Sequence, residues 1–267
     1  MKNWPFRIGF VVLGIIIAVA WWFYYRSATP PAIEVPPIPV VQPAPKPAIQ
    51  HPVEDTPVAA EEAAPVLDRE QPLPELKASD ARITEILGKL FAGKNLDRFL
   101  VLDHFIERVV VMVDSLPRSQ VPKTHRPIKP IPERFLAQGE RDQLTIDPAN
   151  YQRYVPLVTM LGALDTRQVV AVYKRLYPLF QEAYEKLGYP EAYFNDRLIE
   201  VIDHLLQTPQ VADPVALIQP KALYLYADPN LENLSAGRKI LIRSGPENAI
   251  RIKSILRDYR RALVAAD

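Results

Sequence analysis

Apolar positions along the chain fall into three regimes. Residues 8–25, IGFVVLGIIIAVAWWFYY, carry no charge and show no polar face. From Ser27 to about Glu75 apolar residues are scattered among prolines and follow neither a strand nor a helix period. From Ser79 onward the helix spacing takes over: Ile83, Ile86, Leu87, Leu90 and Phe91 recur at three and four residues, with Ser79 placed as a cap and closure near Gly93. The segment DHFIERVVVMVDSLP gives a second helix, stopped at Pro117.

Further along, RFLAQGERDQLTID holds two short extended runs about a polar turn and reads as a small hairpin. Three Asp-Pro pairs follow, at 147–148, 213–214 and 228–229. Aspartate at the cap with proline at the first helical position marks each as an expected helix start. Asp165 with Gln168 has the capping-box form and opens a long helix to Gly188, with a kink expected at Pro178. Ser244-Gly245-Pro246 separates two final helices, the second reaching about Leu263. The pattern predicts a mainly α fold: an N-terminal transmembrane helix, a disordered Pro-rich spacer, and a compact multi-helix domain with at most a small β-hairpin.

Eighteen residues at 1.5 Å each cover about 27 Å, close to a bilayer's hydrocarbon core. Trp21, Trp22, Tyr24 and Tyr25 crowd one end of the run, as an interfacial aromatic belt would. Ala18-Val19-Ala20 has the form of a signal-peptidase site, but the apolar run continues five residues past it. A retained anchor is therefore the expectation. Lys2 and Arg7 precede it and Arg26 follows, which places the N-terminus in the cytoplasm. The expected order is a cytoplasmic tail (1–7), a transmembrane anchor (8–25), a Pro-rich linker (26–75) and a helical domain (76–267). In a two-membrane bacterium this is a single-pass inner-membrane protein with its C-terminal domain in the periplasm.

Composition sharpens this picture at three points. The chain of 267 residues has 28 prolines against 9 glycines, and the prolines concentrate in the spacer. With a net charge of +1, no global field points to nucleic acid. There are no cysteines, which removes disulfides, zinc ribbons and thiol catalysis. No Gly-x-Ser-x-Gly elbow, phosphate loop or His-Glu-x-x-His is present either.

The densest titratable chemistry is YPEAYFNDRLIEVIDHLLQTP, residues 189–209. On a helix, Leu198, Val201, Ile202, Leu205 and Leu206 fall within about 140°, with Ile199 at their edge. Asp196, Glu200, Asp203 and Gln207 gather on the opposite side, with Arg197 and His204 beside them. Glu200 and His204 are four apart and so adjacent. A carboxylate–imidazole pair of this kind suits acid–base work, making Glu200, Asp203 and His204 the catalytic candidates. The same segregation describes any amphipathic surface helix, its carboxylates paired with Arg197. No metal site and no cofactor are expected, because no second element supplies ligands.

The loop RSQVPKTHRPIKP offers the second cluster: Arg118, Lys123, His125, Arg126 and Lys129 on a Pro-stiffened segment. Restrained cations can hold a carboxylate or phosphate. Folded back onto Asp196 and Glu200, they would instead form one self-neutralising network. Tyr173, Tyr177, Phe180 and Tyr184 make a stripe within about 60°, expected as core, with sugar stacking the rival use. Arg251, Lys253, Arg257, Arg260 and Arg261 make the last helix basic, a solvated face or one for anionic lipid.

Taken in order, THRPIKP, DPANYQRY, RLYPLFQEAYEKLGYPEAYFNDRLIEVIDHLL and PKALYLYADPNLENLSAGRKILIRSGPENA resemble the bacterial family known as domain of unknown function 3014. The resemblance runs from Ser79 to Leu263 and implies a bacterial, single-pass envelope protein. It brings no activity, cofactor or catalytic residue. The expected function is a non-enzymatic interaction module recognising an envelope protein, a lipid head group or a wall component. Its contact candidates are Lys123, His125, Arg126, Lys129, Asp196, Arg197 and Glu200. The alternative is an envelope hydrolase using the carboxylate/His site on the 194–207 helix. A cleft with converging groups would favour the hydrolase; a flat or self-neutralised surface would favour the module.

Overall fold

Each long apolar-periodic segment becomes a helix. The computed structural model describes residues 48–54, 66–68, 71–92, 96–140 and 143–264. Helix α1 spans Asp80–Leu90 and α2 spans Phe105–Ser115. Strands β1 (Ala137–Gln138) and β2 (Leu144–Ile146) come next, then α3 (Ala149–Gln152), α4 (Val155–Gly162), α5 (Thr166–Lys186) and α6 (Phe194–Leu206). Strands β3 (Ala216–Ile218) and β4 (Leu225–Tyr226) precede α7 (Pro229–Glu232), α8 (Ala236–Arg243) and α9 (Pro246–Val264). The expected anchor 8–25 and residue Gly93 lie outside the described residues. No single helix among those described is long and apolar enough to cross a membrane.

Local chemistry accounts for most of the helix starts. Asp165 caps α5 by accepting from the Gln168 amide at 3.0 Å, and Asp228 caps α7 through Asn230 at 2.8 Å. Asp147 opens α3 in the same way, accepting from Ala149 at 2.8 Å. Two expected caps are overturned. Asp213-Pro214 is a cis peptide leading into β3, and the Asp213 carboxylate accepts from the Tyr151 hydroxyl at 2.6 Å. Ser79 turns its hydroxyl back to the Leu76 carbonyl at 2.8 Å and leaves α1 without a side-chain cap. Asp80, in the first turn of α1, instead caps the neighbouring α2, accepting from His104 at 2.8 Å and Phe105 at 3.2 Å. His104 itself sits at φ 50°, where the chain turns into the helix.

The hairpin expected over 134–147 is present, but it is half of a larger sheet. The strands form an antiparallel β1-β2-β3-β4 meander in space, pairing Ala137 with Ile146, Leu144 with Leu217, and Leu217 with Tyr226. Alternation places Leu217 inward and leaves Ala216 and Ile218 exposed. Ile146, Val215, Leu217, Tyr226 and Ile242 make the core beneath it. Fully buried Asn150 ties α3 to the sheet entry, bonding both the amide and the carbonyl of Leu136 at 2.9 and 2.6 Å. The Arg153 guanidinium binds the carbonyls of Pro132, Glu133 and Arg134, so this turn is held by an arginine rather than by a ladder.

The main core joins α1, α2, α5 and α6 around Ile86, Ile106, Val110, Leu176 and Phe194. Complete burial of an aliphatic side chain such as Ile106 contributes about 1.5–3 kcal/mol. Helix α5 runs through Pro178 and presents the tyrosine stripe to this core. Phe180 stacks on Phe194 at 5.8 Å and Tyr184 on Tyr189 at 4.7 Å. Tyr173 and Tyr177 satisfy their hydroxyls on Asn195 and Gln181. Burial pushes the Tyr173 hydroxyl well above its ordinary 10 and that of Tyr184 up to about 12. The stripe is core. Helix α9 then packs across α4, α5, α6 and α8.

The folded unit also takes in residues that the composition assigned to the linker. Val66 and Leu67 are buried in the main core, with Val53 and Leu73 packed against it. Their spacing among prolines has no period, so only the three-dimensional contacts reveal them as core residues.

Candidate functional site

Helix α6 segregates as its sequence demands. Phe194, Ile199, Val201, Ile202 and Leu205 are buried, while Glu200 and Gln207 are exposed. The outward side lines an open groove of ≈ 390 Å³ bounded by Gln50, His51, Asp196, Ile199, Glu200, Asp203, His204 and Gln207. The catalytic candidates Glu200, Asp203 and His204 therefore do share one recess.

Each of these groups already has a protein partner. Asp203 is held bidentately by Arg260 of α9, at 2.5 and 2.9 Å. Glu200 meets Arg197 at 2.9 Å. His204 Nε2 lies 2.8 Å from the Ser235 hydroxyl. Arg197 reaches across to buried Asp114 of α2 with Nε at 3.2 Å and Nη2 at 3.1 Å. Among the described residues no group of three or more His, Asp or Glu side chains is arranged to hold a metal ion.

Asp196 is engaged by the chain itself. Its Oδ2 accepts from the Gln50 amide at 3.0 Å and its Oδ1 from the His51 amide at 2.7 Å. Asn195 donates to the His51 carbonyl at 2.9 Å, and the Tyr193 hydroxyl accepts from Val53 at 2.8 Å. Three polar side chains at the start of α6 thus hold Gln50, His51 and Val53 by their main chain through four hydrogen bonds.

The cationic loop stays apart from this face. Lys123 to His125 form a turn of 3-10 helix. His125 Nδ1 pairs with Thr124 Oγ1 at 2.9 Å, Arg126 donates to the Val121 carbonyl at 3.2 Å, and Lys129 donates to the Asp97 carbonyl. Main-chain bonds from Val101 to Pro127 and from Lys129 to Phe99 pin the loop beside the 96–101 segment. The shared network between loop and α6 is therefore replaced by a different one: Asp114 binds Arg197 and Arg118, the first cation of the loop. Asp114 and Arg197 stand 83 positions apart, so nothing local in the sequence signals their pairing. Asp114 and Arg118 are a visible i,i+4 pair, and that spacing was the available clue.

Desolvation, reinforced by the nearby Arg238, holds the His204 imidazole below its ordinary 6.5. As pH falls, the unfolded chain therefore takes up this proton before the folded one does. Its favourable contribution is complete above about 6.5 and is lost as pH drops through the lower, folded value. Denaturant melts of the full-length protein above and below pH 6.5 are expected to show a smaller acid loss for His204→Asn than for the unmodified chain. Equal losses would remove His204 from the titration.

The fold and groove define a class: an α-rich domain with a small antiparallel sheet and a polar groove along one helix. Residues 105–260 match the model of the family described as "Protein of unknown function (DUF3014)", and the chain belongs to that family. No curated protein and no solved structure matches it.

Proposed function

We propose that the protein is a single-pass inner-membrane protein of the bacterial envelope, presenting a non-enzymatic periplasmic module whose α6 groove takes an extended polypeptide. The observation that carries this reading is the capture of residues 50–53 by Tyr193, Asn195 and Asp196. Those contacts address backbone N–H and C=O groups, which any extended chain offers. The groove continues past them along Glu200, His204 and Gln207. Support for the membrane topology is the uncharged run 8–25 with Lys2 and Arg7 before it. The hydrolase alternative draws less support, because Asp203 is neutralised by Arg260 and Glu200 is paired with Arg197.

The test is photocrosslinking in native membranes, with a photoreactive residue at position 200 or 207 of the full-length protein. A discrete heavier species containing a second polypeptide is expected. Adducts confined to lipid or to the chain itself would overturn the reading.

A further inference from the structure

A second recess lies where the start of α9 meets the sheet, and it takes in part of the basic face of the last helix. Its space of ≈ 130 Å³ is lined on the apolar side by Val211, Val215, Ile242 and Ile250. That is well above the roughly 10–15 Å³ a single water needs, so the recess admits a small molecule. Lys253 and Arg257, one turn apart on α9, also line it.

The charges there do not cancel. Lys253 donates to the Thr208 carbonyl, which engages one of its three N–H groups and leaves its charge. Among the described residues, neither Lys253 nor Arg257 forms an ion pair with a carboxylate. Burial, the Arg257 charge and the Arg238 charge together hold the Lys253 ammonium below its ordinary 10.5. Arg238 itself is spent on the His204 carbonyl and Gln207. The recess has one acid, Asp213, and one of its oxygens is taken by the Tyr151 hydroxyl. Two cations against one carboxylate leave an excess positive charge that calls for an anion, and the carboxylate disfavours a doubly charged one. The apolar lining asks for a hydrocarbon body, and the size of the recess suits a short one.

We propose that this recess binds a small amphipathic monocarboxylate, its head group between Lys253 and Arg257 and its apolar body against Val215 and Ile250. Recognition follows the ordinary division of a small-molecule site, with apolar walls for affinity and a few polar groups for orientation.

Isothermal titration calorimetry on the full-length protein in lipid nanodiscs tests it, with hexanoate as the probe and hexylamine and inorganic phosphate as comparators. Hexanoate is expected to bind one per chain with a Kd of about 1 mM or tighter. Arg257→Gln, at an exposed position, is expected to melt normally and to weaken hexanoate roughly tenfold or more. Ile250→Ser is expected to weaken it as well. Absence of saturable hexanoate binding overturns the proposal. So does hexylamine or phosphate binding equally well, or an unchanged affinity in Arg257→Gln.

Discussion

Asp114→Ala is expected to lower the unfolding free energy by about 3 kcal/mol, the range found when one partner of a buried ion pair is removed. Asp114 is 4% exposed and gathers Arg197, Arg118 and the Tyr189 hydroxyl around its carboxylate. Arg197 also donates to the Asp114 main-chain carbonyl at 3.0 Å, so α6 is fastened to α2 by one side chain. Arg118 is more than half exposed and can return to water. The loss therefore falls on Arg197, which gives up its buried carboxylate and keeps only Glu200 and the main-chain carbonyl. The double variant Asp114→Leu with Arg197→Met removes both charges and is expected to recover most of the loss. Urea titration of the three proteins reads this directly. A single variant as stable as the unmodified chain would show that the pair fastens nothing.

Gly245→Ala is expected to cost a similar amount for a different reason. Gly245 sits at φ +91° between α8 and α9, a conformation that disfavours any Cβ. An added Cβ would also lie 2.4 Å from Tyr151 Cγ, inside the ring's van der Waals surface. Backbone strain of roughly 1–2 kcal/mol and overpacking of roughly 1–3 kcal/mol sum to about 3 kcal/mol. Gly188→Ala separates the two contributions. That residue has φ +117° with nothing within 4 Å of its Cβ position, so only the backbone share, about 1 kcal/mol, is expected there. Thermal melting of both variants gives the comparison, and equal losses would mean that Tyr151 yields freely.

What the sequence made legible was whatever acts over a few residues. Asp165 and Asp228 cap their helices through amides two or three positions away, and Ser244-Gly245-Pro246 separates α8 from α9. Asp213-Pro214 carries the same dipeptide signal, but its carboxylate is claimed by Tyr151, 62 positions earlier. The sheet was half visible because a short polar turn joins β1 to β2, whereas β3 reaches β2 from far along the chain, with Leu217 opposite Leu144. On α6 the polar face was plain, whereas the partners that neutralise it were not. Arg260 lies 57 positions from Asp203, and His51 lies 145 positions from Asp196. Proline-rich composition hid the last of these, since a segment without periodicity can still be held by its main chain.

The position of α9 bears on how the protein is made. Val201, Leu205 and Leu241 pack against Val113 and Leu116 on one side and against Ala249, Ile252 and Leu256 of that helix on the other. Until residues 246–264 have been synthesised, this cluster lacks one of its two covering sides, and Asp203 waits for Arg260. A nascent chain halted before α9 is therefore a client for chaperones or proteases, and a premature stop there ends in turnover rather than in a shortened working protein.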